Sequence, residues 1–179
     1  MNIFLPYSDN IEESVKSLDD VRLNKQAIEC LQLLAMAMSE KENGHPYTKG
    51  HSHHPVYLFY KNNTQFLAYY FDACYREYFY RFHKFIQINQ DFGKLLSCDK
   101  FDFDGGYIKG LKLPKYTPYY MEGSKGQPNY IRTTDNVSAL FQQKLINKWN
   151  NDKAKGRMPR WTNRQVPEFY KKEMGKDEN

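Results

Sequence analysis

The stretch Asp19-Asp20-Val21-Arg22-Leu23-Asn24-Lys25-Gln26-Ala27-Ile28-Glu29-Cys30-Leu31-Gln32-Leu33-Leu34-Ala35-Met36-Ala37-Met38 decides the fold class. Leu23, Ala27, Cys30, Leu31, Leu34 and Met38 recur at three- and four-residue spacing, the apolar stripe of an α-helix. At about 100° per residue, Arg22, Lys25, Glu29 and Gln32 gather within about 80° on the opposite side. Asp19 or Asp20 is suited to cap the first turn by accepting from an orphan N–H, and Asn43-Gly44 stops the helix. Working outward, residues 55–86 predict a second helical segment that starts at Pro55, a good first helical residue. Its stripe runs from Val56 and Phe59 through Phe66, Tyr70 and Cys74 to Phe85. Asn62-Asn63-Thr64 is the place for a break, with Thr64 recapping. Residues 137–149 predict a third helix, with Val137, Leu140, Phe141, Leu145 and Trp149 on one face and Thr134 or Asp135 as cap.

Residues 87–136 carry Gly93, Gly105, Gly106, Gly110, Pro114, Pro118, Gly123, Gly126 and Pro128, punctuation that argues against long helices. Fifty structureless residues would be unusual in a compact domain, so short helices or a hairpin are expected around residues 101–113. The fold class is therefore mainly α: a compact single domain of three principal helices with a long irregular insertion between the second and third. The domain is expected to span residues 1–174, with residues 175–179 a frayed tail.

A chain of 179 residues makes one domain the default, and 40% hydrophobic residues can build a core. Its longest apolar run falls far short of the roughly 20 residues that a membrane helix needs. The start MNIFLPYSDN lacks the basic region and apolar stretch of a signal peptide. Cys30, Cys74 and Cys98 are too scattered for a disulfide framework or a zinc site. A soluble, cytoplasmic protein without cofactor is expected. The aromatic share of 16%, with 15 Tyr and 12 Phe, fits core filling first and stacking on bases second. A net charge of +5 permits contact with phosphates without establishing it.

Three features carry possible chemistry. On the polar helix face, Lys25–Glu29 is the spacing of an ordinary i,i+4 ion pair. The apolar Ile3-Phe4-Leu5 is expected to pack on this helix, however, and would bring the α-amine of Met1 near the same face. Such an amine has a reference pKa of about 8, so part of it is a neutral nucleophile near pH 7. A carboxylate beside it, Glu29, moves protons and stabilises a developing cation. The second feature is the histidine-rich loop ending His51-Ser52-His53-His54-Pro55. With no Cys or carboxylate near in sequence it is a poor metal site. The open readings are an anion site at His53 or His54, or simply entry into the helix. The third is the run from Lys153 to Lys172, where seven Lys/Arg, three aromatics and two prolines meet a single acid. Arg157, Arg160, Trp161, Arg164 and Tyr170 suit a nucleic-acid groove, basic groups on phosphates and rings on bases. A basic tail pinned to the core by Trp161 and Phe169 explains the run equally simply.

These residues resemble a family. Leu18-Asp19-Asp20-Val21-Arg22-Leu23 leading to Glu29, His54-Pro55-Val56-Tyr57-Leu58-Phe59-Tyr60 followed by Phe66-Leu67, and the Pro159-Arg160-Trp161 to Phe169-Tyr170 ending are similar to the pyrimidine-dimer DNA glycosylases, the endonuclease V-like proteins of bacteriophages and bacteria. The resemblance implies a compact all-α DNA-repair enzyme acting as a monomer on double-stranded DNA with a damaged or modified base. It implies cleavage of the N-glycosidic bond of a pyrimidine by an N-terminal amine and a helix glutamate, then strand breakage by an AP-lyase step. Carried over, the glutamate is Glu29, the amine is that of Met1, and Arg22 stands near the active site. Lys25, His51, His54, Arg157, Arg160, Trp161, Arg164 and Tyr170 become the DNA-facing set. Two positions differ from the family pattern. Asn2 is too large to favour removal of Met1, and Ile28 and Gln32 stand where arginines flank the family's glutamate. The alternative reading keeps the fold and drops the chemistry, leaving a non-catalytic phage protein that binds nucleic acid or nucleotides. A third class, a phage protein that binds a host protein, predicts weak or salt-insensitive DNA affinity.

Overall fold

A computed structural model describes residues 3–7, 10–42, 54–86, 116–119, 129–132 and 137–175. Among them run α1 (Ile11–Lys16), α2 (Asp20–Glu42), α3 (Pro55–Tyr60), α4 (Thr64–Phe82), β1 (Tyr116–Tyr119), β2 (Asn129–Arg132), α5 (Val137–Ala154) and α6 (Glu168–Met174). The mainly helical fold and the three principal helical segments are those expected. The hairpin expected around residues 101–113 lies outside the described residues. Close by, β1 and β2 form an antiparallel ladder with Tyr116 opposite Arg132.

The decisive helix forms as α2, and its buried surface is wider than one stripe. Leu23, Ala27, Cys30 and Leu31 are buried, and so are Leu33, Leu34, Ala35, Met36 and Ala37 in succession. The second half of α2 is enclosed because it packs along α4 and also meets α3. The break in the second segment falls at residues 61–63. Asn63 is the cap residue of α4, and its side-chain Nδ2 donates to Phe59 O at 3.0 Å, satisfying a carbonyl that the end of α3 leaves open. Thr64 is thus the first helical residue rather than the cap. The segment ends at Phe82, short of residue 86, because His83 turns left-handed at φ 50° while its N–H returns to Phe79 O. α5 continues past Trp149 to Ala154, where Gly156 at φ 73° turns the chain away.

Two short helices were not anticipated. In α1, Asn10 Oδ1 accepts from Glu13 N at 3.0 Å, and Ile11 and Val15 are buried. In α6, Glu168 lies in the first turn and Lys171 and Lys172 in the last, matching the helix dipole. The core is one cluster that runs from Ile3, Phe4 and Leu5 through α2 and α4 to Phe141, Leu145, Trp149 and Tyr170. Much of the aromatic excess is spent here. Tyr57, Tyr60, Tyr70, Tyr170, Phe141 and Trp149 are all fully enclosed. No helix among the described residues is long and apolar enough to cross a membrane.

Candidate active site

Arg22, Lys25 and Glu29 follow one another down the polar side of α2, one turn apart, over about 10 Å of helix axis. Lys25 Nζ lies 3.7 Å from Glu29 Oε1, with the lysine 67% exposed and the glutamate only 16%. The other carboxylate oxygen, Oε2, accepts from Gln26 Nε2 at 3.1 Å. Gln26 is buried, and its Oε1 accepts from the backbone N–H of Phe4 at 3.0 Å. Tyr70 Oη donates to Phe4 O, also at 3.0 Å, so both backbone polar groups of Phe4 are held. Ile3, Phe4 and Leu5 are buried, as expected from their apolar character. The start of the chain is thereby fastened to the helix turn that carries Glu29. Met1 lies outside the described residues.

Arg22 points the other way. Its guanidinium donates to Asp19 Oδ2 at 3.1 Å and to Asp152 Oδ2, and the side chain is 14% exposed. Burial pushes the Asp19 carboxyl above its ordinary range, against the opposing pull of a 2.8 Å bond from Trp149 Nε1 and the charge of Arg22. Asp152 is held below the ordinary carboxylate range, chiefly by its bond from Arg22, with Arg157 acting in the same sense. Asp19 therefore does not cap α2 with its side chain; the carboxylate is committed to Trp149 and Arg22.

The C-terminal run is laid across the beginning of α2. Asp20 N donates to Arg160 O at 2.8 Å, and the Asp20 carboxylate accepts from Thr162 N and Oγ1. Trp161 Nε1 donates to Ser17 O at 2.9 Å, and the Trp161 ring meets Trp149 edge-on at 5.1 Å. Tyr170 is buried, its ring against Trp149 at 4.7 Å. Arg164 forks onto Glu77 at 2.9 and 2.8 Å and lies over the Tyr80 ring. The aromatics of this run thus face the core, and Arg164 is bound within the protein. Arg157, 66% exposed, and Arg160 face solvent, Arg157 while also ion-paired with Asp152.

His54 is the cap residue of α3, its Nδ1 accepting from Val56 N at 3.2 Å. That acceptor role leaves the ring proton of the neutral form on Nε2. His51 lies outside the described residues. The structure thus gathers Arg22, Arg157 and Arg160 at the start of α2 and leaves Lys25 and Glu29 one and two turns further along. Sequence reasoning missed Gln26, Asp152, Glu77 and Arg81. Gln26 had a signal, a polar residue at i+3 from Leu23 and next to Ala27 on the apolar stripe. Glu77 and Arg81 had another, i,i+4 opposite charges flanked by aromatics on α4.

No curated protein and no solved structure matches the chain. The family model of pyrimidine dimer DNA glycosylase matches residues 1–89, the span that holds α1 to α4 and Glu29, and over those residues the chain is similar to that family.

Proposed function

We propose that the chain is a DNA glycosylase that excises a damaged or modified pyrimidine and then nicks the strand as an AP lyase. The observation that carries the reading is the linkage from Phe4 through Gln26 to Glu29. In a chain that starts at Met1, the α-amine is three residues ahead of Phe4 and is tethered within about 10 Å of it. It attacks C1′ of the target nucleotide; the bond from C1′ to the base breaks, and the electron pair leaves with the base, which takes up a proton. Opening of the sugar gives an imine. Loss of a C2′ proton then expels the 3′ phosphate. Glu29 stabilises the cationic sugar and moves the protons.

Double-stranded DNA is the partner in this reading. Lys25, Arg157 and Arg160 supply the exposed cations that meet it, and His54 stands at the start of α3, with His51 proposed as a further DNA-facing residue. Arg22, Arg164, Trp161 and Tyr170 support that surface from within, since each is engaged by protein partners.

Borohydride trapping on end-labelled duplexes tests the proposal, using untreated, ultraviolet-irradiated and abasic substrates. The expected result is a covalent adduct that disappears when an extra residue blocks the N-terminus, with the trapped substrate naming the lesion class. Glu29→Gln should abolish base release while DNA binding survives. Binding without any adduct would make the chain a non-catalytic binder on the same fold; full turnover by Glu29→Gln would refute the assignment of Glu29.

A further inference from the structure

We infer that Gln26 is a positioning residue, the buried amide that sets the carboxylate of Glu29 against the start of the chain. The inference rests on the proposed function and goes further by assigning the geometry of its two reacting groups to one side chain. Gln26 is 1% exposed, so each of its polar atoms needs a partner inside the protein. Phe4 N can only donate, which fixes Oε1 on the Phe4 side and turns the NH2 group toward Glu29. The 3.1 Å bond from Nε2 then holds Glu29 Oε2 and leaves Oε1 facing Lys25. Tyr70 Oη, 3.3 Å from the same Gln26 oxygen, closes the arrangement from α4.

A purely structural amide would serve equally well with any acceptor for Phe4 N. The NH2 group directed at Glu29 is what a positioning role adds, and two substitutions separate these roles. Gln26→Glu keeps the size and the acceptor for Phe4 N, but a carboxyl in that place either repels Glu29 or shares a proton with it. Gln26→Met removes both bonds at nearly constant volume.

The experiment measures base release under multiple-turnover conditions, with amide exchange at Phe4 as the structural readout, on the full chain. Gln26→Glu should retain protection of the Phe4 amide and lose at least about ten-fold in kcat, with KM within about two-fold of wild type. Gln26→Met should lose both the protection and the rate. Wild-type kcat in Gln26→Glu with Phe4 still protected would overturn the inference, because the amide would then only anchor the chain. If Gln26→Met does not fold, Gln26→Glu against wild type decides alone. Glu29→Gln is run beside them. Absence of base release by the wild-type chain overturns the proposed function itself; full activity in Glu29→Gln overturns the role of Glu29 and this inference with it; inactivity there with an unimpaired Gln26→Glu overturns only the role of Gln26.

Discussion

Arg157 forms an ion pair with Asp152 at 2.9 Å, on the carboxylate whose other oxygen holds Arg22. One acid on α5 thus neutralises two of the cations that the sequence offers to DNA. Asp152→Asn keeps the shape and removes the charge. It should raise affinity for duplex DNA at low salt and steepen the fall of log K with log salt by about one to two. The loss of partly exposed ion pairs should cost only about 1 kcal/mol of stability. Fluorescence anisotropy across a salt series checks this; an unchanged slope would place DNA elsewhere on the molecule.

The neighbouring pair Arg160 and Trp161 should divide cleanly. Trp161 reaches Ser17 O and packs on Trp149, so Trp161→Ala should cost about 3 kcal/mol of stability. Arg160 contributes its carbonyl to Asp20 N while its side chain faces solvent, so Arg160→Ala should leave stability within about 0.5 kcal/mol and lower the salt slope by about one. Thermal melts and salt-dependent binding on both variants are the check. A drop in salt slope for Trp161→Ala at unchanged stability would put the indole on the DNA.

Glu77 makes stability depend on acid. Burial pushes its carboxyl up, but the bonds from Arg164 and Arg81 outweigh burial and hold it below its ordinary value. A carboxyl lowered by folding contributes fully above its unfolded pKa, near 4.3, and that contribution is lost as pH falls through the lower folded value. Glu77→Gln should therefore cost about 3 kcal/mol near pH 7, by leaving the buried Arg81 short of a charge partner. The gap between wild type and variant should narrow progressively below about pH 4.3. Asp19 acts in the opposite sense, because its raised carboxyl favours the folded state as it takes up a proton. The comparison is therefore made between wild type and Glu77→Gln by urea unfolding at each pH, and a constant gap would refute the linkage.

What the sequence made legible follows the range of the interactions involved. α2, the interruption at Asn62-Asn63 and the face of α5 are written in spacings of three and four residues, and these appear in the fold except for Leu140, expected on the apolar face of α5 but exposed. α1 and α6 are too short for periodicity to register, although Asn10 followed by Glu13 was a usable capping signal. The packing of Ile3 to Leu5 near Glu29 was legible because an apolar segment had one good apolar neighbour to join. The partners of Gln26 were not, since Phe4 and Tyr70 lie 22 and 44 residues away. The C-terminal run was ambiguous for a related reason. Trp161, Arg164 and Tyr170 have the composition of a DNA groove, but their contacts are with Ser17, Glu77 and Trp149, and local spacing does not encode such pairings.

Two buried tyrosines give opposite expectations for the same substitution. The Tyr60 ring stacks on Phe66 at 5.2 Å, yet its hydroxyl is buried and has no hydrogen-bond partner among the described residues. Tyr60→Phe removes a group that paid desolvation without return, so it should be neutral or stabilising by up to about 1 kcal/mol. Tyr70 Oη instead donates to Phe4 O, and Tyr70→Phe should cost about 1 kcal/mol. Urea midpoints at equal m-values check both. If Tyr60→Phe loses as much as Tyr70→Phe, the Tyr60 hydroxyl has a partner in solution. Tyr70→Phe carries a second consequence, because Phe4 is the residue that Gln26 ties to Glu29: base release should slow in Tyr70→Phe and stay unchanged in Tyr60→Phe, although both lose one phenolic oxygen from the same core.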